Sequence, residues 1–294
     1  MTHERFELLS HEGELLRADL RYEKDGRKKP VIIFLHGFKG FKDWGPFPAM
    51  LEELATDGFV TLAFNFSYNG IGEDLLNFTE LDRFARNTFT RELEEVGDVI
   101  RAIDMLDEKL PIAGNEIARD NIGLIGHSRG AAMAVLAGST NNLVRAVIAL
   151  SPVRTFERYS ERQKEEWRRK GYFEVLNQRT KQVMRLNIQL LEDLELHREQ
   201  LDIVKAAHRY PFLEKPLLVM AGEQDLTTKP AEAEAVATAA AGDLTELRLI
   251  PNTGHTFGAE HPYKGMTPAL RQVIDHSKAF FEKYLIHHPI PSVP

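Results

Sequence analysis

The chain, 294 residues long, predicts an α/β fold with a mostly parallel sheet buried on both faces. Three observations lead there. Continuous apolar runs of strand length recur, as in Val31-Ile32-Ile33-Phe34-Leu35. Helix-period segments separate most of them. At residues 121–138 an apolar strand stops at Gly126, one serine follows, and a small-residue helix begins.

Taken in order, residues 5–9 and 14–20 are the arms of a hairpin turning at His11-Glu12-Gly13. Pro30 opens the buried strand 31–35. Residues 47–56 put Met50, Leu51 and Leu54 on one helical face, and 59–64 is another strand. Residues 65–84 read as a polar loop with a turn at Asn69-Gly70. Residues 91–106 repeat Leu93, Val96, Ile100 and Ile103 at helical spacing. Strand 121–125 leads to the serine, and 131–138 is a compact buried helix expected to end in glycine. Strand 143–150 closes on Ser151-Pro152. Residues 153–210 show no strand pattern and are rich in Arg, Lys, Glu, Gln and Leu, so a helical insertion is expected. Within it Glu165 with Arg169, and Glu166 with Lys170, have the spacing that supports a helix. The sheet resumes at 216–221, followed by a helix over 231–241 and a strand over 246–250. A last helix runs from 267 to about 285, and residues 287–291 are expected to be an extended end.

Composition narrows the function. The chain is 43% hydrophobic and 28% charged, which suits one large globular domain with an insertion, or two small domains. Net charge is -7 and no basic stripe is present, which argues against nucleic-acid binding. With no cysteine there is neither a disulfide framework nor a thiolate metal site. The N-terminus Met1-Thr2-His3-Glu4-Arg5 lacks the apolar core of a signal peptide, and no apolar run is long enough to span a bilayer. The expectation is a cytoplasmic protein that needs no membrane and no cofactor.

The strand–serine–helix passage is Gly126-His127-Ser128-Arg129-Gly130, the G-x-S-x-G pattern of a nucleophile elbow. Its glycines lack the β-carbons that would collide in so sharp a turn. A serine hydroxyl needs a base to take its proton, so the elbow predicts a histidine and a carboxylate elsewhere. The strand at 217–221 ends in Gly222-Glu223-Gln224-Asp225, and Asp225 is preferred over Glu223 because the loop has had room to turn over the sheet edge. The next strand ends in Gly254-His255. The chain has 11 histidines, and His3, His197, His208, His276, His287 and His288 fit surface or structural roles. No motif places His261. The order Ser128, Asp225, His255 matches nucleophile, acid, base. The strand at 31–35 runs into His36-Gly37-Phe38-Lys39-Gly40. The N–H groups of Phe38 and Arg129 are the expected oxyanion donors. His36 reads as a brace for this loop, and Lys39 as either a solvated side chain or a local positive charge.

Together these motifs resemble the α/β-hydrolase superfamily. The resemblance covers nearly the whole chain and implies an eight-stranded, mostly parallel sheet with helices on both faces. It implies a core of residues 1–152 and 211–294, with the helical stretch 153–210 as a cap. It also implies cofactor-free hydrolysis through an acyl-enzyme, with Ser128 as nucleophile, His255 as acid/base and Asp225 as its orienter. Serine rather than aspartate at the elbow argues against the dehalogenase and epoxide hydrolase branches. The chain looks most like the capped serine carboxylesterases, and also like serine aminopeptidase-type hydrolases. Asn65 departs from the aspartate many members carry there, which puts the local loop bracing in question. The loop at 65–70 either lines the acyl or alcohol pocket or packs as a surface loop. Of the apolar residues Trp167, Phe173, Val175, Leu176, Val183 and Met184, some are expected to face the cleft if the cap lies over Ser128. The implied partner is a small-molecule ester. The alternatives are an aminopeptidase or amidase, holding a substrate ammonium with Glu161, Glu165 or Glu174, and a non-catalytic binding protein. Oligomeric state is not legible.

Overall fold

The computed structural model describes residues 1–106 and 108–287. A hairpin comes first, β1 (Thr2–Leu9) and β2 (Leu15–Tyr22), and then β3 (Lys29–Leu35), α1 (Phe47–Thr56) and β4 (Val60–Phe64). Next come α2 (Leu81–Ala85), α3 (Phe89–Met105), β5 (Ile117–His127), α4 (Arg129–Thr140) and β6 (Val144–Leu150). The segment that follows holds α5 (Glu161–Lys170), β7 (Tyr172–Leu176), β8 (Val183–Asn187), α6 (Ile188–Leu196) and α7 (Ile203–Ala207). The chain ends with β9 (Leu217–Gly222), α8 (Pro230–Ala239), β10 (Thr245–Ile250), α9 (Pro268–Phe281) and a π-helical turn, Glu282–His287.

Eight strands form one sheet in the order β1-β2-β4-β3-β5-β6-β9-β10. β1 pairs antiparallel with β2, and β2 antiparallel with β4; every other pairing is parallel. The alternation along β3 divides the core. Ile32 and Phe34 face α1 and α9, while Val31, Ile33 and Leu35 face the side of α3, α4 and α8. All five are fully buried, as a parallel strand covered on both faces requires. This is the α/β-hydrolase fold the motifs imply.

The expected elements are present, with informative differences. α4 does not stop at Gly138 but runs to Thr140. Gly138 is a packing glycine: a β-carbon there would overlap the hydroxyl of Tyr210, which donates to Val135 O at 3.0 Å. The loop at 65–84 contains an isolated bridge between Ile71 and Phe78, and its end flows into α2. β5 begins at Ile117 rather than 121, because Ile117 and Ala118 pair with Lys29 and Pro30 across a register shift while the polar Arg119 and Asp120 hide the strand pattern. The insertion is not all helical. Tyr172–Leu176 and Val183–Asn187 pair antiparallel, and a strand reading was missed because each is only five residues long and the exposed apolar Leu176 and Val183 blur the alternation in sequence. The preceding α5 is as expected, opened by a capping box between Ser160 and Gln163 and closed by left-handed Gly171. Of the expected extended end, His287 instead closes the π-helical turn, and 288–291 lie outside the described residues. Among the described residues no helix is long and apolar enough to cross a membrane.

Candidate active site

The parallel strands deliver their loops to one sheet edge, and β5 sets the centre. Ser128 follows it directly with φ 58° and ψ -118°, a left-handed position that few non-glycine residues occupy. A β-carbon on Gly126 would overlap the Gly130 carbonyl, and one on Gly130 would overlap the carbonyl of Leu35. Gly126 therefore allows β5 and α4 to meet so tightly, and Gly130 allows α4 to start against the end of β3. The amide of Ser128 is held by Leu150 O at 2.8 Å, and α4 begins at the next residue. The free N–H end of that helix favours negative charge beside the hydroxyl.

β9 and β10 bring Asp225 and His255 together. Gly222 lacks the β-carbon that would block Thr253 O, so the two loops cross closely, tied by Gln224 N–H to Thr253 O at 2.9 Å. His255 Nδ1 lies 2.7 Å from Asp225 Oδ2. Asp225 is buried, and its Oδ1 accepts from Thr227 N–H at 2.8 Å and Thr228 N–H at 3.0 Å. Burial alone would raise its pKa; the bond to His255, the His255 charge and the Thr228 bonds outweigh that and hold it at about 2. An ionised Asp225 can only accept, so Nδ1 carries a proton, and the neutral tautomer compatible with this contact has its lone pair on Nε2. Glu223 is exposed and is not the partner of His255.

His127, inside the elbow, was not singled out by the sequence. Its Nε2–H donates to the carbonyl of His255 at 2.9 Å, and the two rings lie 4.7 Å apart. Burial, helped by the neighbouring His255, holds its pKa at about 3, so it stays neutral and keeps one donor for that carbonyl. The only sequence signal is its place between Gly126 and Ser128. Thr228 was also missed; its hydroxyl lies 2.9 Å from Asp225 Oδ2 and 3.2 Å from His255 Nδ1.

The loop after β3 packs on the elbow. A β-carbon on Gly37 would stand 2.9 Å from His127 O and 3.0 Å from Ser128 Cβ, which explains the glycine. Lys39 adopts φ 57°, and Gly40 N–H closes the turn on Gly37 O at 2.9 Å. The N–H groups of Phe38 and Arg129 donate to no group among the described residues. His36 is a brace, as expected. Its Nδ1 lies 3.0 Å from Gly37 O, and its Nε2 lies 3.3 Å from both Phe66 N and Asn69 Nδ2. Burial lowers its pKa to about 4, so it is neutral: Nδ1 donates and Nε2 accepts. Asn65 also braces this region, accepting from Lys42 N–H at 2.8 Å. The loop at 65–70 packs rather than lining the cavity: Phe66, Ser67, Tyr68 and Asn69 are buried. Lys39 is half-buried; its Nζ donates to Leu176 O in the insertion at 3.1 Å and lies 5.4 Å from the centre of the Phe38 ring. His261 accepts from Gly45 N–H at 3.0 Å and packs on Phe41 and Trp44.

A cavity of about 260 Å³ opens beside Ser128. Its walls include Phe38, Phe89, Arg129, Val153, Phe156 and Tyr159. The insertion therefore contributes through its first residues. Trp167, Phe173, Val175, Leu176, Val183 and Met184 do not line this cavity, and Trp167 is fully buried against Tyr159 and Phe173. A larger hollow of about 540 Å³ lies beside Asp19 and Lys42, but its wall holds no serine, threonine or histidine. Chemistry rather than size picks out the site. Among the described residues no group of three or more His, Asp or Glu is arranged to hold a metal ion.

Solved structures share this architecture. The chain is similar over 97% of its length to 99% of DcsB, solved with a substrate analogue, at 15% identity and a TM-score of 0.73. It is similar over 96% of its length to 98% of Est1E from Butyrivibrio proteoclasticus, at 19% identity and a TM-score of 0.64. The esterase PF2001 of Pyrococcus furiosus matches 97% of the chain with 91% of its own, at 14% identity and a TM-score of 0.60. At such identities these likenesses speak for the fold alone. No curated protein matches the chain by sequence. The alpha/beta hydrolase family profile, however, matches residues 32–268, from β3 through the elbow and both loops to the start of α9. By that match, the chain belongs to the alpha/beta hydrolase family.

Proposed function

We propose that this chain is a serine hydrolase that cleaves a small or medium carboxylic ester through an acyl-enzyme. One observation carries the reading: an ionised, buried Asp225 sits 2.7 Å from His255 Nδ1, in loops laid against the strained Ser128 elbow. In this reading His255 Nε2 takes the Ser128 proton as Oγ attacks the ester carbonyl. The N–H groups of Phe38 and Arg129 receive the developing oxyanion, each such donor typically worth about 2.7–4 kcal/mol to the transition state. The protonated His255 then gives its proton to the departing alcohol, leaving Ser128 acylated. Water, deprotonated by His255, attacks the acyl group, and Ser128 leaves with the proton. The residues 153–210 act as a cap, whose Val153, Phe156 and Tyr159 help wall the cavity and keep water from it. The substrate is a small molecule, matched to a cavity of about 260 Å³.

The aminopeptidase reading is weaker. Glu161, Glu165 and Glu174 are exposed and outside the cavity wall. Among the described residues that wall holds no carboxylate to receive a substrate ammonium; its charged groups are Arg129 and Arg158, each already paired, with Glu92 at 3.1 Å and Glu232 at 2.6 Å.

The test is hydrolysis of nitrophenyl esters of increasing acyl length by wild type and Ser128→Ala. Activity that disappears in the variant is expected, with an optimum at short or medium chains. Unchanged activity in Ser128→Ala overturns the reading; cleavage of aminoacyl arylamides in place of esters transfers it to the aminopeptidases.

A further inference from the structure

Arg129 contributes more than its backbone N–H. Its guanidinium carbon lies 4.2 Å from the centre of the Phe38 ring and 4.8 Å from that of Phe89. Phe38 is backed by Phe84, at 5.6 Å with 25° between the planes. Phe89 is backed by Phe156, at 4.3 Å and 16°. Four rings and one guanidinium thus run in a row from α2, past the oxyanion loop and the elbow, to the insertion. The cation at its middle is buried and needs a counter-charge. Glu92 on α3 supplies it, with Oε1 3.1 Å from Arg129 Nη1 and 2.6 Å from Asn87 Nδ2. Nothing in a catalytic triad calls for this pair.

Phe38 is where the pair matters. Its N–H stands in a tight turn outside regular structure, and an oxyanion donor must be held to within about 0.5 Å to work. Gly37 has no side chain to hold the turn, and Lys39, whose Nζ lies 5.4 Å from the centre of the Phe38 ring, is itself tied to Leu176 O at 3.1 Å. The Phe38 ring is the handle by which the loop can be gripped. Arg129 attracts its face electrostatically, more closely than Lys39 at 5.4 Å, while Phe84 stacks against the same ring.

We propose that Arg129, charge-balanced by Glu92, is a positioning residue that holds the Phe38 N–H in place as an oxyanion donor, acting through the Phe38 ring rather than on the substrate. The proposal rests on the reading of Ser128 as nucleophile. Through Phe89 and Phe156 the same row ties the oxyanion loop to the insertion.

The experiment compares wild type with Arg129→Met, Arg129→Lys and Phe84→Leu. For each, kcat and KM are measured on a nitrophenyl ester, together with the melting temperature and the rate at which a fluorophosphonate labels Ser128. Phosphonylation also builds charge on an oxygen facing the same donors, so it reads the oxyanion site without an ester substrate. Arg129→Met is expected to lose tenfold or more in kcat, with KM within threefold and labelling slowed in parallel. Arg129→Lys, which keeps the charge, should recover part of the loss. Phe84→Leu, outside the cavity wall, should lower kcat in the same sense. A raised KM at unchanged kcat makes Arg129 a substrate contact and overturns the proposal. Losses that only follow melting temperature, with lysine no better than methionine, also overturn it. If wild type labels and Arg129→Met labels as fast, the proposal alone fails. If wild-type Ser128 takes no label, the serine-hydrolase reading fails and the proposal with it.

Discussion

Replacing Asp225 by asparagine separates the orientation of His255 from the stability of its loop. The carboxylate has two differently used oxygens. Oδ1 accepts two backbone N–H groups, from Thr227 at 2.8 Å and Thr228 at 3.0 Å, while Oδ2 faces His255 Nδ1 at 2.7 Å. An amide in this position must turn its oxygen to the two backbone donors, because its NH₂ cannot accept from them. The NH₂ then points at His255 Nδ1 and donates to it. That forces the imidazole proton onto Nε2, the atom that takes the Ser128 proton in the proposed mechanism. An orienting aspartate changed to its amide typically costs about 10⁴-fold in kcat, or about 5.5 kcal/mol of activation free energy. Stability should change by only about 1 kcal/mol, since both backbone bonds survive with a neutral acceptor. Asp225→Ala differs: it gives up both backbone bonds and strands the buried Thr228 N–H, at about 1–3 kcal/mol for that group, and should lower stability by roughly 2–4 kcal/mol. Ester hydrolysis and urea denaturation of the two variants check this. Asp225→Asn within tenfold of wild type in kcat, or as unstable as Asp225→Ala, refutes the reasoning.

Three further outcomes are expected. Gly126→Ala should cost about 3 kcal/mol or more, read as a lost or much lowered melting transition, because its methyl group overlaps backbone of Gly130 rather than a side chain that can move. His127→Phe keeps the aromatic volume but leaves the His255 carbonyl without its donor; kcat should fall roughly tenfold, and stability by about 1–3 kcal/mol, measured by ester hydrolysis and denaturation. Glu95, buried and accepting from Ser67 N–H at 3.0 Å and from the Ser67 hydroxyl, has its pKa raised by burial to about 7. A carboxyl that the fold keeps protonated contributes stability below its unfolded value of about 4.5, and that contribution is lost as pH rises through about 7. Denaturation of Glu95→Gln should therefore gain on wild type by about 2–3 kcal/mol between pH 5 and pH 8; a constant difference across that range would show that Glu95 does not titrate there.

The elbow was legible because its constraint is local. A strand, a serine with φ 58° and a helix must join within a few residues, and a β-carbon at 126 would meet the Gly130 backbone four residues on, so sequence records that part of the geometry directly, while Gly130 answers to the Leu35 carbonyl across the fold. The parallel sheet was legible for a similar reason: strands such as β3, buried on both faces, need unbroken apolar runs. Asp225 and His255 could be ordered by chain position, and the 2.7 Å contact follows from β9 and β10 being neighbours in the sheet. The β7–β8 hairpin left no clear pattern, since its partly exposed strands need no continuous apolar face. Gly138 showed as a helix end in sequence and proved to be the space for Tyr210, a residue 72 positions along the numbering. The contacts of His127, Thr228 and the Arg129 side chain join segments remote in sequence, and no local period encodes which distant backbone or ring a side chain will meet. Sequence by itself determined the sheet, the serine turn and the order in which Ser128, Asp225 and His255 follow their strands. Tertiary structure alone decided which side chains brace them, because bracing depends on distances across the fold rather than along the chain.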